Sequence, residues 1–423
     1  MNIKHQHPII PSAPIARRLI LTAILAAAGS SLSQAALAAD SKTSYDFYGF
    51  IQLDAIYDFN RMDPDWNDSL RSSKICSGEP GCGSDGETIL SVRQTRFGVN
   101  TVSQTGLGEL KGKLEFELYG VGSDEGKTTP RLRHAYFELG EFLAGQTWSN
   151  FMDIDVFPNS IEYWGPPSMV FWRNIQLRWT PVRDQHSSFS VALEEPSAAA
   201  DQGKGSPIDP SLSFTGKTEF PDMTARWRTS GDWGHAQVAG ILRFVGYESS
   251  AAGGEPSGNE TGYGINLSGS LKTGASGTVK AQLAYGEAIA SYFNDGGIDL
   301  GSSGTGTSVE TLPILGWLLF YDHSWSDKWS SSIGWAGTDQ DNSAGQLGDA
   351  YTASQYGLVN LLHYPTRQVM LGGELQYGEY ELKDGKTLDL SLIHISEPTR
   401  LKTRSRMPSS ACKGGGGGGG GGG

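Results

Sequence analysis

Five arginines recur where an extended strand would turn them away from its apolar side. In 94–102, Phe97, Val99 and Thr101 share one parity, which leaves Arg96 and Asn100 on the other. In 173–180, Ile175, Leu177 and Trp179 alternate with Asn174, Gln176 and Arg178. Met223, Ala225 and Trp227 leave Arg226 and Arg228 on the opposite side, and Leu242 and Phe244 do the same for Arg243. Arg131 and Arg133 share a parity that the pattern does not assign to either face. A guanidinium presents a planar fork that holds a carboxylate through two hydrogen bonds, so a row of them beside water would concentrate and orient anions. Each could instead be neutralised by Glu115, Glu117 or Glu374 and merely stiffen a wall.

The elements that must position these side chains are strands. Tyr45 to Phe59 alternates almost without a break, with Tyr45, Phe47, Ile51, Leu53 and Tyr57 against Asp46, Gln52, Asp54 and Asp58. That run is long for a globular strand and suits a tilted strand crossing a bilayer beside a wet lumen. Further strands are predicted at 89–102, 109–120, 130–139, 142–150, 172–180, 187–195, 219–230, 233–247, 261–273, 277–291, 313–324, 329–339, 351–364 and 367–382. Short links such as Gly140-Glu141, Gly231-Asp232 and Pro365-Thr366 alternate with long ones such as 60–88, 151–171 and 292–312. Short turns at one end and long loops at the other are the order of an up-and-down outer-membrane barrel. Trp179, Trp227, Trp233, Trp325, Trp329 and Tyr364 lie near short links, as an interfacial girdle requires. The fold class expected is therefore all-β, a transmembrane antiparallel barrel in one domain.

Composition and targeting agree with this. The 57 glycines, 10% aromatic residues and mean hydropathy of -0.33 fit a chain whose apolar positions alternate with polar ones. A secreted soluble β-protein would share those statistics, so the strand rhythm decides. Lys4, Arg17 and Arg18, the apolar run Leu19 to Ala28 and the A-x-A site Ala36-Leu37-Ala38 predict a signal peptide over 1–38. The apolar run is too short to span a bilayer, which leaves strands to do so. In an oxidising compartment Cys76 and Cys82 suit a loop disulfide; without a second cysteine pair or nearby histidines they make a poor zinc site. The net charge of -13 argues against nucleic acid as a partner. Ser/His/acid arrangements, phosphate loops and metal-spaced clusters are not visible in the sequence, so neither an enzyme nor a cofactor or metal is expected.

The third long loop, 151–171, carries Asp153, Asp155, Glu162 and the rigid Gly165-Pro166-Pro167, and is expected to fold inward as a constriction. The stretch GQTWSNFMD at 145–153, with RLRHAYFELG at 131–140, RNIQLRWTP at 173–181, SQYGLVNLLHYP at 354–365 and LGGELQYGEYELKDG at 371–385, resembles the DcaP-like family of outer-membrane porins. The resemblance implies a sixteen-stranded, homotrimeric porin for small anionic solutes such as dicarboxylates, in contact with outer-membrane lipid and lipopolysaccharide. A helical segment that such proteins carry ahead of the barrel has no room between residue 38 and the first strand.

The end of the chain reads differently. LSLIHISEPTR at 390–400 resembles a translated sequencing adapter, and 414–423 is poly-Gly. Residues 390–423 are thus expected to be a non-native tail, leaving 39–389 as the barrel domain with about fifteen strands, the sixteenth lost and strand one open at its edge. Two alternatives to a selective porin stay open: a structural or adhesive barrel with a plugged lumen, and a diffusion pore without preference.

Overall fold

The alternation that marks the strands sets their two faces apart. Phe47, Ile51 and Leu53 project outward and are exposed, whereas Gln52, Asp54 and Asp58 are buried on the lumenal side. The computed structural model describes residues 43–76, 81–83, 85–196, 208–209, 213–251, 253–304 and 308–400; the expected signal peptide and residues 401–423 lie outside them.

The first strands are β1 (Thr43–Asp58), β2 (Thr88–Ser91), β3 (Arg96–Thr105), β4 (Gly108–Tyr119) and β5 (Thr128–Leu139). Next come β6 (Phe142–Trp148), β7 (Arg173–Arg183), β8 (Ser187–Glu194), β9 (Phe214–Thr218) and β10 (Asp222–Gly231). β11 (Gly234–Ser249), β12 (Ser257–Thr273) and β13 (Gly277–Glu287) precede a small hairpin, β14 (Leu300–Ser302) and β15 (Val309–Thr311). The chain closes with β16 (Pro313–Ser326), β17 (Trp329–Gln340), β18 (Tyr351–His363), β19 (Leu371–Leu382) and β20 (Thr387–Arg400). Sixteen strands form a closed antiparallel barrel, to which β2 and β9 add short extra strands.

Closure corrects the expectation of a lost last strand. β20 pairs with β19 and also with β1, from Phe50 opposite Arg400 to Asp58 opposite Leu392. Its sequence alternates: Leu390, Leu392, His394 and Ser396 are buried inward, and Ile395 is 58% exposed outward. A period of two is sufficient to satisfy the edge of β1, which in lipid would otherwise hold unpaired backbone groups. β1 therefore has no open edge.

Two smaller corrections concern the wall. The strand predicted at 89–102 is broken into β2 and β3, because residues 92–95 turn and send Arg93 and Gln94 inward. Arg93 Nη1 reaches Asp68 Oδ1 at 2.7 Å, and Gln94 Nε2 donates to the Ile161 carbonyl at 3.0 Å. Of the expected girdle, Trp179, Trp227, Trp233, Trp325 and Trp329 are exposed on the outside, but Tyr364 packs inward on Ile161, Leu362 and Met370. A disulfide joins Cys76 to Cys82.

Three long loops leave the rim and meet inside the barrel. Loop 3 follows β6, which is only 7 residues long and so releases the chain partway down the wall. Its Phe151, Met152, Val156, Met169 and Val170 share one buried cluster with Tyr292 and Phe293 of the loop before β16. Gly165 holds φ +84°, and a side chain there would run into the ring of Phe157, so the bend before Pro166 requires glycine.

Candidate functional site

Loop 3 is fastened along much of the lumenal wall. At its start, Asp153 accepts from Arg228 Nη1 (3.1 Å) and from Ser268 Oγ (2.8 Å), and its Oδ2 lies 2.7 Å from His235 Nε2. These partners hold the Asp153 carboxyl well below the usual range despite its burial. Arg228 Nη2 also reaches Asp155 Oδ2 at 2.5 Å. Asp153, Asp155 and His235 bring ligand atoms within 4.8 Å of one another, but the guanidinium of Arg228 already bonds both carboxylates and supplies the positive charge a cation would.

Farther along, Lys280 Nζ donates to the Phe157 carbonyl at 2.6 Å, and the Ile161 amide donates to Glu374 at 3.1 Å. Glu162 then accepts three backbone amides: Leu70 (3.1 Å), Trp164 (2.8 Å) and Gly165. Burial nevertheless dominates and, with Glu374 nearby, pushes its carboxyl up to about 7. The loop's acidic residues therefore tie it down; Asp153 and Glu162 are 1% and 4% exposed.

The tip of the loop crosses to β4 and β5. Tyr163 stacks on Tyr119 with ring centroids 3.7 Å apart, accepts from Arg131 Nη1 at 2.8 Å and donates to Glu117. Glu117 is the hub of this region. Arg133 Nη1 lies 2.6 Å from it, Arg96 Nη2 3.3 Å, Arg131 Nη1 3.6 Å and Arg173 Nη1 3.7 Å. Glu115 is bonded by Arg133 Nε at 2.8 Å and by Lys113 at 3.4 Å. Five cations thus share two carboxylates, beside the place where loop 3 narrows the lumen.

Of the seven expected arginines, Arg96, Arg131 and Arg133 converge here. A register shift between Glu115 and Phe116, opposite His134 and Leu132, leaves Arg133 as the extra residue and reverses the strand's parity, so that Arg131, Arg133 and His134 are all buried and strict alternation fails to place the arginines. Arg228 serves the loop anchor. Arg243 is a correction: it is 1% exposed and bonded to Asp222 (2.9 Å) and Asp299 (2.8 Å), so it secures the loop before β16 and does not reach open lumen. Arg178 and Arg226 face inward without a carboxylate partner among the described residues. Glu115 and Glu117 do neutralise arginines, as the sequence allowed, whereas Glu374 binds Asn360 and Gln376.

Sequence reasoning missed Arg173, whose parity matches outward Ile175. It starts β7 at the foot of loop 3, where the strand pattern has not yet begun. It also missed Arg71, which bonds Asp295 at 2.9 Å with both side chains buried and lies over the rings of Trp66 (4.1 Å) and Trp164 (4.4 Å). Arg71 and Ser73 hold the Asp295 carboxyl below its ordinary range despite desolvation. No spacing in the sequence links residues so far apart.

The model of the DcaP outer membrane protein family matches residues 21–230. Comparison with curated proteins finds no match. Among solved structures, the chain is similar to the outer membrane channel DcaP of Acinetobacter baumannii, at 21% identity and a TM-score of 0.73, over 85% of this chain and 97% of that one. It also resembles an anion-selective porin from Comamonas acidovorans (10% identity, TM-score 0.52, 85% and 100% covered). The trimer form of OmpT from Vibrio cholerae is similar as well (13% identity, TM-score 0.51, 85% and 99% covered). With a closed sixteen-stranded barrel, an inward third loop and a charged lumen, this chain belongs to the DcaP outer membrane protein family, a porin-like channel of the bacterial outer membrane.

Proposed function

We propose that the protein is a passive porin whose loop-3 constriction prefers small anions, dicarboxylates among them, and that it works as a homotrimer in contact with outer-membrane lipid and lipopolysaccharide. The observation that carries this reading is the gathering of cations at the loop tip, where Arg96, Arg131, Arg133, Arg173 and Lys113 crowd around Glu115 and Glu117. Inside a narrow, low-dielectric path such a gathering lowers the energy of an anion and raises that of a cation. A carboxylate that enters can exchange hydrogen bonds with guanidinium forks, and passage requires only that the exchange be reversible. The anion-selective porin and the trimeric OmpT among its structural neighbours are in keeping with this reading. No catalytic step and no cofactor are involved.

The test is the reversal potential in a KCl gradient across a planar bilayer. Anion preference is expected, and cation preference would overturn the proposal. A second reading, a barrel whose lumen is plugged, is favoured by the Arg71–Asp295 bond that locks two loops over loop 3. Liposome swelling with small sugars separates the two, since a plugged barrel gives no flux. We also read residues 390–423 as non-native sequence standing where the parent protein has its own closing strand; resequencing the 3′ end of the gene checks this.

A further inference from the structure

Two buried carboxylates each use one oxygen to hold an inner loop and leave the other oxygen unpartnered. Glu194 ends β8 and Asp222 starts β10; they stand directly opposite each other and are 1% and 0% exposed. Glu194 Oε1 accepts from the Asn150 amide at the start of loop 3 (2.8 Å) and from Thr224 Oγ1 (2.9 Å), while Oε2 is buried with no partner among the described residues. Asp222 Oδ2 accepts from Arg243 Nε and from the Tyr292 hydroxyl, both at 2.9 Å, and its Oδ1 is buried and unpartnered in the same way. The two like charges repel each other.

A third oxygen lies beside them. Asn174 of β7 is fully buried, two residues from Gln176, which stands opposite Glu194. Its Nδ2 donates at 2.6 Å to the carbonyl of Glu195, the residue after Glu194, which holds the carboxamide against this end of β8 and leaves Oδ1 without a partner among the described residues. The charges around these oxygens do not balance. Arg243 bonds both Asp222 and Asp299, and its other hydrogen bonds go to Ser291 and to the Ala288 and Pro196 carbonyls. Three buried carboxylates thus have a single bonded guanidinium among the described residues. Arg178 acts on Glu194 from farther off, its own donors going to Gln176 and the Trp148 carbonyl. Buried negative charge of this kind is stabilised by a counter-ion, and unpartnered carboxylate and carboxamide oxygens suit a hard cation.

We propose that Glu194, Asp222 and Asn174 bind one structural calcium ion between the barrel wall and loop 3. Calcium accepts carboxylates through one oxygen or two in a flexible shell, whereas magnesium demands octahedral geometry and gives up its water reluctantly. The ion fastens the base of loop 3 through Glu194 and the loop before β16 through Asp222. Its ligands are buried, so it belongs to the wall and not to the solute path, and the proposal stands apart from the anion-pore reading.

The test folds the full chain in detergent with calcium chloride, magnesium chloride or EGTA, then measures the calcium retained after desalting and the temperature of heat-modifiable unfolding. One retained calcium per chain and a transition raised by calcium more than by magnesium are expected. Glu194→Gln is expected to lose the retained ion, and Asn174→Ala, which changes no charge, to bind it about tenfold more weakly. Asp341→Asn, in an exposed loop, controls for calcium on surface acids and should retain the ion. Heat-modifiable migration verifies that each variant is folded. A folded parent that retains no calcium overturns the proposal, as does equal retention by a folded Glu194→Gln/Asp222→Asn variant or by Asn174→Ala. A transition that rises on acidification but ignores calcium also overturns it, and assigns a shared proton to the two carboxylates.

Discussion

The lumen holds arginines in two conditions. Around Glu117, Arg96, Arg131, Arg133 and Arg173 crowd onto one carboxylate, with Glu115 beside it, and are buried or partly buried. On the neighbouring wall, Arg178 and Arg226 have no carboxylate within bonding distance among the described residues. The same side chain therefore also builds the constriction where carboxylates bind it, and only lines the wall where they do not. Desolvating a charge is costly unless it is paired, so the first group should carry stability along with the anion preference of the constriction, and the second should add to anion preference with little effect on stability.

The largest effect is expected from Glu117→Gln, which leaves several guanidinium groups close together without their shared counter-ion. Stability should fall by about 3–5 kcal/mol, read as a lower temperature of heat-modifiable unfolding in detergent. An unchanged transition would break the distinction between the two groups. Next, Arg178→Ala/Arg226→Ala should lower anion preference several-fold in reversal-potential measurements, while stability shifts by no more than about 1 kcal/mol. Ser188→Glu, which would place a carboxylate opposite Arg228 and beside Arg226, sharpens the same point. It should reduce anion preference less than the double variant and leave folding unaltered; enhanced preference would contradict it.

The smallest expected effect concerns pH. Glu162 binds its proton more tightly when docked, with a value of about 7 against an ordinary 4.5. Its contribution to loop docking is therefore full below about pH 4.5 and is lost as pH rises through 7. Asp153 behaves oppositely: its depressed value keeps its contribution intact until strongly acidic pH. Amide exchange at Trp164 and Gly165 should accordingly be slower at about pH 5 than at about pH 8, after correction for intrinsic rates, and Glu162→Gln should abolish the difference.

Much of the barrel is legible because each strand reports its own two faces. β4, β8, β16 and β17 begin and end within two residues of the positions read from alternation. The site is less legible, since its decisive contacts join residues far apart in the chain. Arg131 and Arg133 defeat parity through the register shift at Glu115, Arg173 stands before its strand's pattern begins, and Arg71 finds Asp295 from the opposite side of the sequence. Alternation can say that a charge points inward; which carboxylate awaits it depends on closure. The same locality explains why an adapter-like segment forms β20: any run that alternates can complete the ring.

Loop 3 has a mechanical consequence. It is bonded to β10–β12 through Asp153, to β13 through the Phe157 carbonyl, to β19 through the Ile161 amide and to β4 and β5 through Tyr163. An empty cylinder of sixteen strands is easily squeezed into an ellipse, but one with a spoke fixed at several points around its rim resists that deformation. The aperture beside the Glu117 arginines should therefore keep its shape when lateral pressure in the membrane changes, so that charge, and not stretch, governs what passes.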